Sequence, residues 1–220
     1  MRRYGQYCGF SRALEMVGER WALLIVRDLL VGPKRFTDLH RGLPGIPTNI
    51  LTARLKELED AGLVRRHVLP RPSGSVVYEL TAYGLELEEA VVALGRWGAK
   101  SLDEPRAGEV VTSDSMQMAL RSTFQPDAAH GRPISFELHV ADVVIHARIS
   151  NGALIVGEGP LPGANLTIEG GAEIKSLLTG ELRPADAIAR KIVRVRGNAK
   201  LLKRFAELFR IDPMPSSLSA

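Results

Sequence analysis

The chain has 220 residues, 45% of them hydrophobic and 25% charged, which is the composition of an ordinary folded protein. No apolar run approaches the ~20 residues that cross a bilayer, and no apolar segment follows the basic start of the chain, so we expect a cytoplasmic protein without membrane contact. The single cysteine excludes an internal disulfide and a cysteine-based zinc site.

The net charge of +4 is unevenly distributed along the chain. Residues 1–75 hold 13 Lys and Arg against 7 Asp and Glu, residues 76–104 hold 2 against 6, and the remainder holds 14 against 12. An excess of cations at the front is expected for a surface that faces phosphates. A solvated basic face without a partner gives the same pattern, so charge alone leaves both interpretations open.

The first half of the chain is predicted to be helical with one β-hairpin. Apolar residues recur every three to four positions in the helical stretches and alternate with polar residues in the hairpin. The predicted elements are one or two helices over 11–31 (with a break or a close approach at Gly18), helices over 34–41 and 49–61, strands over 64–69 and 76–80, and a helix over 83–101. Two helices, a Gly/Pro turn over 42–47, a third helix and a hairpin form the order of a winged helix-turn-helix.

The second half is predicted to be a separate α+β domain with an antiparallel sheet, which makes the whole chain α+β. Residues 103–113 carry proline and glycine and have little apolar periodicity, so they form the predicted linker between domains over 1–104 and 113–220. Period-2 alternation indicates strands on either side of short helices. The predicted elements are helices over 116–124, 172–178, 185–189 and 199–209, and strands over 134–140, 143–149, 154–156, 166–168 and 193–195.

The helix over 49–61, with Thr48 as its predicted cap, carries the candidate DNA-reading surface. Leu51, Leu55 and Leu58 lie at i, i+4 and i+7 and form its inner face. The outward face presents short polar or small groups and one cation, namely Thr48, Asn49, Thr52, Ala53 and Lys56. Such a face fits a major groove about 12 Å wide, where Asn49 can form two hydrogen bonds with adenine. The alternative is the solvated face of an ordinary helical hairpin.

Four further basic residues are candidate DNA contacts. Lys34 and Arg35 open the supporting helix, where they can hold backbone phosphate. Arg71 lies at the hairpin tip between two prolines, and a stiff loop suits an arginine that enters a minor groove or contacts a phosphate. A surface arginine without a partner is the alternative there. Arg54 is either a phosphate contact or an i,i+3 salt-bridge partner of Glu57, and the sequence does not separate the two.

At these residues the chain resembles the HxlR family, a bacterial branch of the MarR-like winged-helix regulators. The resemblance implies a homodimer, built from the N-terminal helix and the long helix after the wing, that binds a palindromic operator in double-stranded DNA. Pro47 departs from the serine that usually opens the recognition helix. The matching stretches are Cys8, Gly18–Trp21, Arg35–Leu39, Leu51–Val64, Tyr78–Thr81, Gly84 and Trp97.

The resemblance also makes Cys8 a candidate redox sensor, because some members sense oxidants or electrophiles through a cysteine near this position. The chemistry needs an exposed thiol with a lowered pKa, and Arg2, Arg3 and Arg12 are close enough in sequence to favour the thiolate. Without a second cysteine, the reactions open to it are a disulfide between two chains or a small-molecule adduct. The alternative is a small buried residue at the dimer contact.

The second half resembles the sterol-carrier-protein domain, which implies a sheet covered by helices with an apolar lipid tunnel between them. The matching stretches are 164–170, 177–182, 184–187 and 195–205. The candidate pocket residues are Phe136, Leu138, Ile145, Leu177, Leu178, Phe205 and Phe209. The alternative is a fully packed core that binds nothing.

No nucleophile elbow, phosphate-cradling glycine loop or catalytic carboxylate pair accompanies these motifs, so neither enzyme activity nor a cofactor is expected. The five histidines show no metal-ligand spacing. We expect a homodimeric DNA-binding regulator, with a hydrophobic small molecule in the C-terminal domain as a candidate effector. The alternative function is a lipid or acyl carrier whose winged helix serves only for dimerisation.

Overall fold

The computed structural model describes residues 3–70, 72 and 74–212, and the chain divides into two compact units, residues 1–91 and 92–220. The division falls inside a helix rather than in the predicted linker. The C-terminal half of that helix belongs to the second unit, where Arg96 Nε donates a hydrogen bond of 2.9 Å to the carbonyl oxygen of Ser122. Within the described ranges, no helix is both long and apolar enough to cross a membrane.

The first unit has the predicted order of helices and a hairpin. Its buried core comes from one face of each helix and from the inner face of the hairpin, with Ile25, Leu39 and Leu55 among its best-buried side chains. This arrangement is a winged helix-turn-helix. Its elements are α1 Gly9–Val17, α2 Ala22–Val31, α3 Phe36–Gly42, α4 Thr48–Asp60, β1 Val64–Val68, β2 Val76–Leu80, α5 Ala82–Leu85 and α6 Glu88–Ala99, the last of which crosses the division.

The break predicted at Gly18 is confirmed. α1 ends at Val17, and a Cβ atom on Gly18 would lie 2.4 Å from the carbonyl oxygen of Leu14. Trp21 then adopts a φ of 81°, a left-handed conformation that is uncommon for a bulky residue. The chain therefore turns sharply between α1 and α2 instead of continuing as one helix.

The prediction that Thr48 caps α4 was wrong by one residue. Pro47 occupies the cap position with φ −66° and ψ 144°, an extended conformation that its ring favours, and it supplies no side-chain hydrogen bond. Thr48 is already the first residue of the helix, and its carbonyl oxygen accepts a hydrogen bond of 2.8 Å from the Thr52 hydroxyl. The outward face of α4 therefore starts with the first helical residue.

The single helix predicted over 83–101 is two helices, α5 and α6. The Thr81 hydroxyl accepts a hydrogen bond of 3.0 Å from the backbone N–H of Gly84 and so caps α5. A Cβ atom on Gly84 would lie 2.1 Å from the carbonyl oxygen of Leu63, so α5 packs directly on the chain that enters β1. This close tertiary contact ends α5 at Leu85, before α6 begins.

The second unit is a five-stranded sheet with helices, in the order β5-β4-β3-β6-β7. The prediction of an antiparallel sheet was wrong, because β3 pairs with β6 in parallel while the other neighbours are antiparallel. Its elements are α7 Ser113–Thr123, β3 Ile134–Val140, β4 Val143–Ser150, β5 Ala153–Glu158, β6 Leu166–Gly170, α8 Glu173–Thr179, α9 Pro184–Ala189, β7 Arg194–Gly197 and α10 Leu201–Leu208.

The parallel pairing follows from the connection over residues 159–165. β5 lies at one edge of the sheet, whereas β6 pairs with the far side of β3, so the connection crosses the sheet. Glu137 Oε2 accepts a hydrogen bond of 2.5 Å from the backbone N–H of Leu161, and His146 Nδ1 lies 3.0 Å from the carbonyl oxygen of Gly159. These polar side chains fix the crossover and bring the chain back to start β6 beside the start of β3.

Candidate nucleic-acid interface

The outward face of α4 has the composition that the sequence predicts. Leu51, Leu55 and Leu58 are buried against the rest of the first unit. On the opposite side, Thr48, Asn49, Thr52 and Lys56 are exposed and Ala53 is partly buried. Because the leucine face fixes the orientation of the helix, the polar groups are held outward with little backbone freedom to lose on binding.

Arg54 lies beside the leucine seam and is engaged inside the unit. It forms ion pairs with Glu57 one turn further along α4 and with Glu19, at 3.7 Å, in the chain between α1 and α2. Its side chain is only 16% exposed. The structure therefore favours the salt-bridge alternative for Arg54 over the phosphate contact, which would require these pairs to open.

Lys34 and Arg35 lie where the supporting helix meets the wing. The backbone N–H of Lys34 donates to the carbonyl oxygen of Tyr78 at 2.9 Å, and the N–H of Tyr78 donates back at 2.8 Å, so Lys34 is tied to β2. Arg35 precedes α3, is exposed, and its backbone N–H donates to the Asp38 carboxylate at 3.2 Å. This segment thus connects the support of α4 rigidly to the hairpin.

The wing adds basic residues that the sequence reasoning did not single out. Arg65 and Arg66 are exposed on β1, and Arg65 pairs with Glu79 across the hairpin. The paired Arg-Arg in a strand leading to the hairpin tip was the available signal for Arg66. Arg71, predicted to contact DNA from the tip, lies outside the described residues.

Cys8 occupies the cap position of α1 and is exposed. Hydrogen bonds from the backbone N–H groups of Ser11 and Phe10 lower the pKa of its thiol, as expected where a thiolate meets the first amides of a helix. Neither Arg3 nor Arg12 contributes to this lowered pKa, and Arg12 forms an ion pair of 2.9 Å with Glu15. Arg2 lies outside the described residues.

The seven candidate pocket residues of the C-terminal domain lie together in one buried cluster, between the sheet and its helices. The rings of Phe136 and Phe205 have centroids 5.2 Å apart, and those of Phe205 and Phe209 are 5.0 Å apart. These residues contact one another, which favours the packed-core alternative at this point. In the part of the chain that the structure describes, no group of three or more His, Cys, Asp or Glu side chains is placed to hold a metal ion.

A three-helix support, an outward polar face on α4 and an adjoining hairpin define the first unit as a winged helix-turn-helix DNA-binding domain. The profile of the HxlR-like helix-turn-helix family matches residues 16–106. The chain belongs to this family of transcriptional regulators. The matched region extends fifteen residues into the second unit.

Individual relatives also match less than half of this chain. An uncharacterised HTH-type transcriptional regulator of Synechocystis sp. is 33% identical over 100 residues, covering 46% of this chain and 74% of the relative. The transcriptional regulator YodB of Bacillus subtilis is 39% identical over 85 residues, covering 39% of this chain and 76% of YodB. The solved structure of the redox regulator HypR in its oxidised form aligns with a TM-score of 0.41 at 33% identity, over 44% of this chain and 99% of HypR.

Proposed function

We propose that the chain is a cytoplasmic regulator that binds a palindromic operator as a homodimer, with the outward face of α4 in the major groove. The observation that carries this proposal is the separation of faces on α4, where buried leucines hold Asn49, Thr52 and Lys56 toward solvent. Asn49 and Thr52 contact base edges, and Lys56, together with Lys34, Arg35 and the wing arginine Arg71, contacts phosphates.

Exposed aromatic residues on the helices support the homodimer. Phe10 on α1 is 73% exposed and Trp97 on α6 is 74% exposed, and Tyr7 and Leu94 beside them are exposed as well. Large apolar side chains exposed on each of these helices indicate a partner, and a second copy would place two α4 helices on a two-fold-symmetric site. The test is sedimentation of the wild-type chain and of Trp97→Ser, which we expect to shift from dimer toward monomer.

The α+β unit is proposed to be a sterol-carrier-like domain that responds to an apolar effector. Its support is the apolar cluster between one face of the sheet and the helices α7 to α10, where a ligand would have to separate Phe136, Phe205 and Phe209. Native mass spectrometry of protein purified from its host tests this, because a co-purifying lipid supports the proposal and an empty unit contradicts it. Membership of a regulator family favours this function over that of a lipid carrier.

Cys8 is proposed as a redox-responsive group, supported by its exposure and by the amide hydrogen bonds that lower its pKa. With one cysteine in the chain, oxidation joins two chains through a disulfide, in which two thiolates each lose one electron to an oxidant such as diamide. We expect diamide to weaken DNA binding by the wild type and to leave Cys8→Ser unaffected. Equal responses of the two proteins would contradict the proposal.

The DNA contacts are tested by an electrophoretic shift with the promoter of the chain's own gene. Asn49→Ala is expected to cost about 1–3 kcal/mol of discrimination against unrelated DNA, and Lys56→Ala to weaken binding to all sequences. Arg106→Ala, an exposed cation remote in sequence from α4, is the matched control for Lys56→Ala. If Asn49→Ala and Lys56→Ala bind as the wild type does at moderate salt, the assignment of α4 fails.

A further inference from the structure

Basic charge in the second unit is concentrated in one short segment. Residues 190–204 carry seven Lys and Arg and no Asp or Glu, whereas residues 113–189 and 205–220 together carry six basic and eleven acidic residues. We call these seven residues the basic strip: Arg190, Lys191, Arg194, Arg196, Lys200, Lys203 and Arg204. Outside this segment, residues 113–220 are therefore net acidic.

The fold places the centre of the basic strip at one edge of the sheet. β7 is the edge strand next to β6, and it is followed immediately by α10. Arg194 and Arg196 lie two positions apart on β7, opposite Glu169 and Thr167 of β6, so both side chains project from the sheet face that is turned away from the helices. Lys200 and Lys203 continue the strip at the start of α10, where both are exposed.

Much of this charge is not neutralised within the unit. Glu169 pairs with Arg196, and Glu207 pairs with Lys203 at 3.9 Å and with Arg204 at 3.3 Å. The other four members of the strip are exposed and have no ion pair in the described part of the chain; they are Arg190, Lys191, Arg194 and Lys200. Four unpaired cations within one short segment, which itself holds no acidic residue, present a local positive potential.

Protection of the sheet edge does not account for the strip. Charged side chains on an edge strand prevent it from pairing with another chain, and Lys and Arg are common there for this reason. The other edge strand, β5, could pair with another chain in the same way. Its one charged residue is the acidic Glu158, and Ile155 on the same strand is exposed. The strip also extends beyond β7 on both sides, to Arg190 and to α10, where no strand edge needs protection.

We propose that the basic strip is a second DNA-binding surface, through which the C-terminal unit holds the phosphate backbone of duplex DNA outside the site that α4 recognises. The partner is a polyanion because only cations line the strip, and duplex DNA is the polyanion that a regulator of this family already meets. The inference rests on DNA binding by the family and not on which residues of α4 contact bases.

The spacing of the strip is compatible with a phosphate backbone. Successive side chains on one face of a strand are about 6.7 Å apart, and phosphates along one DNA strand advance by about 3.4 Å of helix axis per step, a mismatch that long flexible side chains can absorb. Arg194 and Arg196 can therefore reach neighbouring phosphates with their long side chains. Asn198 is the one amide in the strip's segment, and its Oδ1 accepts a hydrogen bond of 3.2 Å from the backbone N–H of Lys200. The surface therefore lacks groups that would distinguish bases, and it should bind DNA of any sequence.

The salt dependence of binding to DNA of mixed sequence tests the proposal on the full chain. The strip variant is Arg190→Gln/Arg194→Gln/Lys200→Gln. The control Arg106→Gln/Arg132→Gln/Arg148→Gln removes the same charge from exposed arginines elsewhere, and thermal denaturation checks that both variants fold. Affinity for a 40-bp duplex is measured by fluorescence anisotropy between about 50 and 200 mM NaCl, a range over which each phosphate contact contributes about 0.9 to the logarithmic slope.

We expect the strip variant to lose up to about 2.7 of that slope, so that the affinity of the wild type falls about 40-fold more than that of the variant across the range. The control should keep the wild-type slope. Equal slopes for the strip variant and the control would overturn the proposal. A strip variant that keeps the DNA slope but no longer sediments with phosphatidylserine vesicles would also overturn it, in favour of a membrane surface.

The result is independent of the assignment of α4. Asn49→Ala, tested beside the strip variant, changes the preference for an operator over mixed DNA and leaves the salt slope on mixed DNA unchanged. Failure of the Asn49 prediction with a changed strip slope would remove the base-reading assignment and leave the strip standing. If the Asn49 prediction holds and the strip variant keeps the wild-type slope, the proposal for the basic strip fails while the assignment of α4 is supported.

Discussion

The two units of the chain use basic charge in different ways. On α4, Lys56 shares the outward face with Asn49, whose amide can donate and accept hydrogen bonds, and with Thr52, whose hydroxyl donates to the Thr48 carbonyl and can still accept one. Such groups can distinguish base edges. On the edge strand β7, Arg194 and Arg196 alternate with a valine and have no amide or hydroxyl beside them on the strand. Phosphate contacts position a protein on DNA and base contacts specify the sequence, so we expect the first unit to specify a DNA sequence and the second to bind DNA of any sequence.

The units also differ in what keeps their surfaces in place. α4 is fixed by a seam of leucines from one helix face, whereas the sheet is fixed by aromatic packing on one side and by charged side chains on the other. Glu137, on the side away from the helices, anchors the crossover that brings β6 beside β3. The recognition surface therefore depends on local periodicity and the second unit on contacts distant in sequence.

The largest expected effect is a loss of stability that is confined to the core of the second unit. Phe205 is fully buried and its ring contacts those of Phe136 and Phe209, so Phe205→Ala should cost about 3–5 kcal/mol of stability in the second unit. Hydrogen exchange is the measurement, and we expect amides of β3 and β4 to lose protection while those of α4 keep theirs. Lys203→Ala, 81% exposed on the same helix, should change stability by less than about 0.5 kcal/mol. Equal loss of protection in both units would show that they unfold as one.

Two helical glycines give effects of opposite sign in the two units. Gly84→Ala places a methyl group against the carbonyl oxygen of Leu63, and we expect a loss of about 1–3 kcal/mol. Gly98→Ala, in the part of α6 that belongs to the second unit, meets no atom within 4 Å and should stabilise the helix by about 0.5–1 kcal/mol. Urea denaturation of the two variants measures both. A stabilising Gly84→Ala would mean that the hairpin and α5 are not in contact.

Glu137 makes the stability of the second unit depend on pH. Burial acts to raise its pKa, but hydrogen bonds from the His139 ring and the Leu161 N–H and the nearby positive charges outweigh it, so its pKa lies below the ordinary value. A lowered folded-state pKa gives stability that is present above the unfolded pKa and is lost as the pH falls through the folded one. Glu137→Gln should therefore cost about 1–3 kcal/mol near neutral pH, and progressively less in acid.

Urea denaturation at about pH 7 and about pH 3 measures this difference. The first unit provides the control, because Glu57 pairs with Arg54 at a partly exposed site and Glu57→Gln should cost less than about 1 kcal/mol at either pH. A cost for Glu137→Gln that does not change with pH would mean that its charge has no part in holding the crossover.

The smallest expected effects distinguish two cations of α4, Arg54 and Lys56, by their contributions to stability and to DNA binding. Arg54→Ala should cost about 0.5–1 kcal/mol of stability, because it removes the ion pairs with Glu57 and Glu19, and should leave the salt slope of DNA binding unchanged. Lys56→Ala should leave stability unchanged and reduce the slope by about 0.9. Thermal denaturation and anisotropy on the same two proteins give both quantities. A reduced slope for Arg54→Ala would restore Arg54 as a phosphate contact.

Local periodicity was sufficient to predict much of the first unit. The spacing of Leu51, Leu55 and Leu58 predicted both α4 and its outward face, because a helical period assigns every residue to a side. The end of α5 was not predictable in the same way, since it depends on the approach of Gly84 to Leu63, twenty-one residues earlier in the chain. The cap was misplaced because Pro47 replaces a side-chain cap with a fixed backbone conformation.

In the second unit, the alternation of residues in the sequence predicts the strands but not their order in the sheet. Alternation predicted each strand, yet it carries no information on which strands are neighbours, and the parallel pairing of β3 with β6 came from the crossover anchored by Glu137. The basic strip was visible in the sequence as single cations in a strand and a helix. Only the structure shows that Arg194 and Arg196 lie on an edge strand, with both side chains on the sheet face away from the helices.

Selection of bound fragments from the whole genome tests the central claim most directly, by comparing the wild-type chain with the double variant Asn49→Ala/Lys56→Ala. The account predicts that the wild type enriches a palindromic sequence and that the variant, still folded and dimeric, loses that enrichment by at least about tenfold while keeping weak binding to all DNA. Enrichment of the same palindrome with the same affinity by both proteins would contradict the assignment of α4 as the element that recognises the operator.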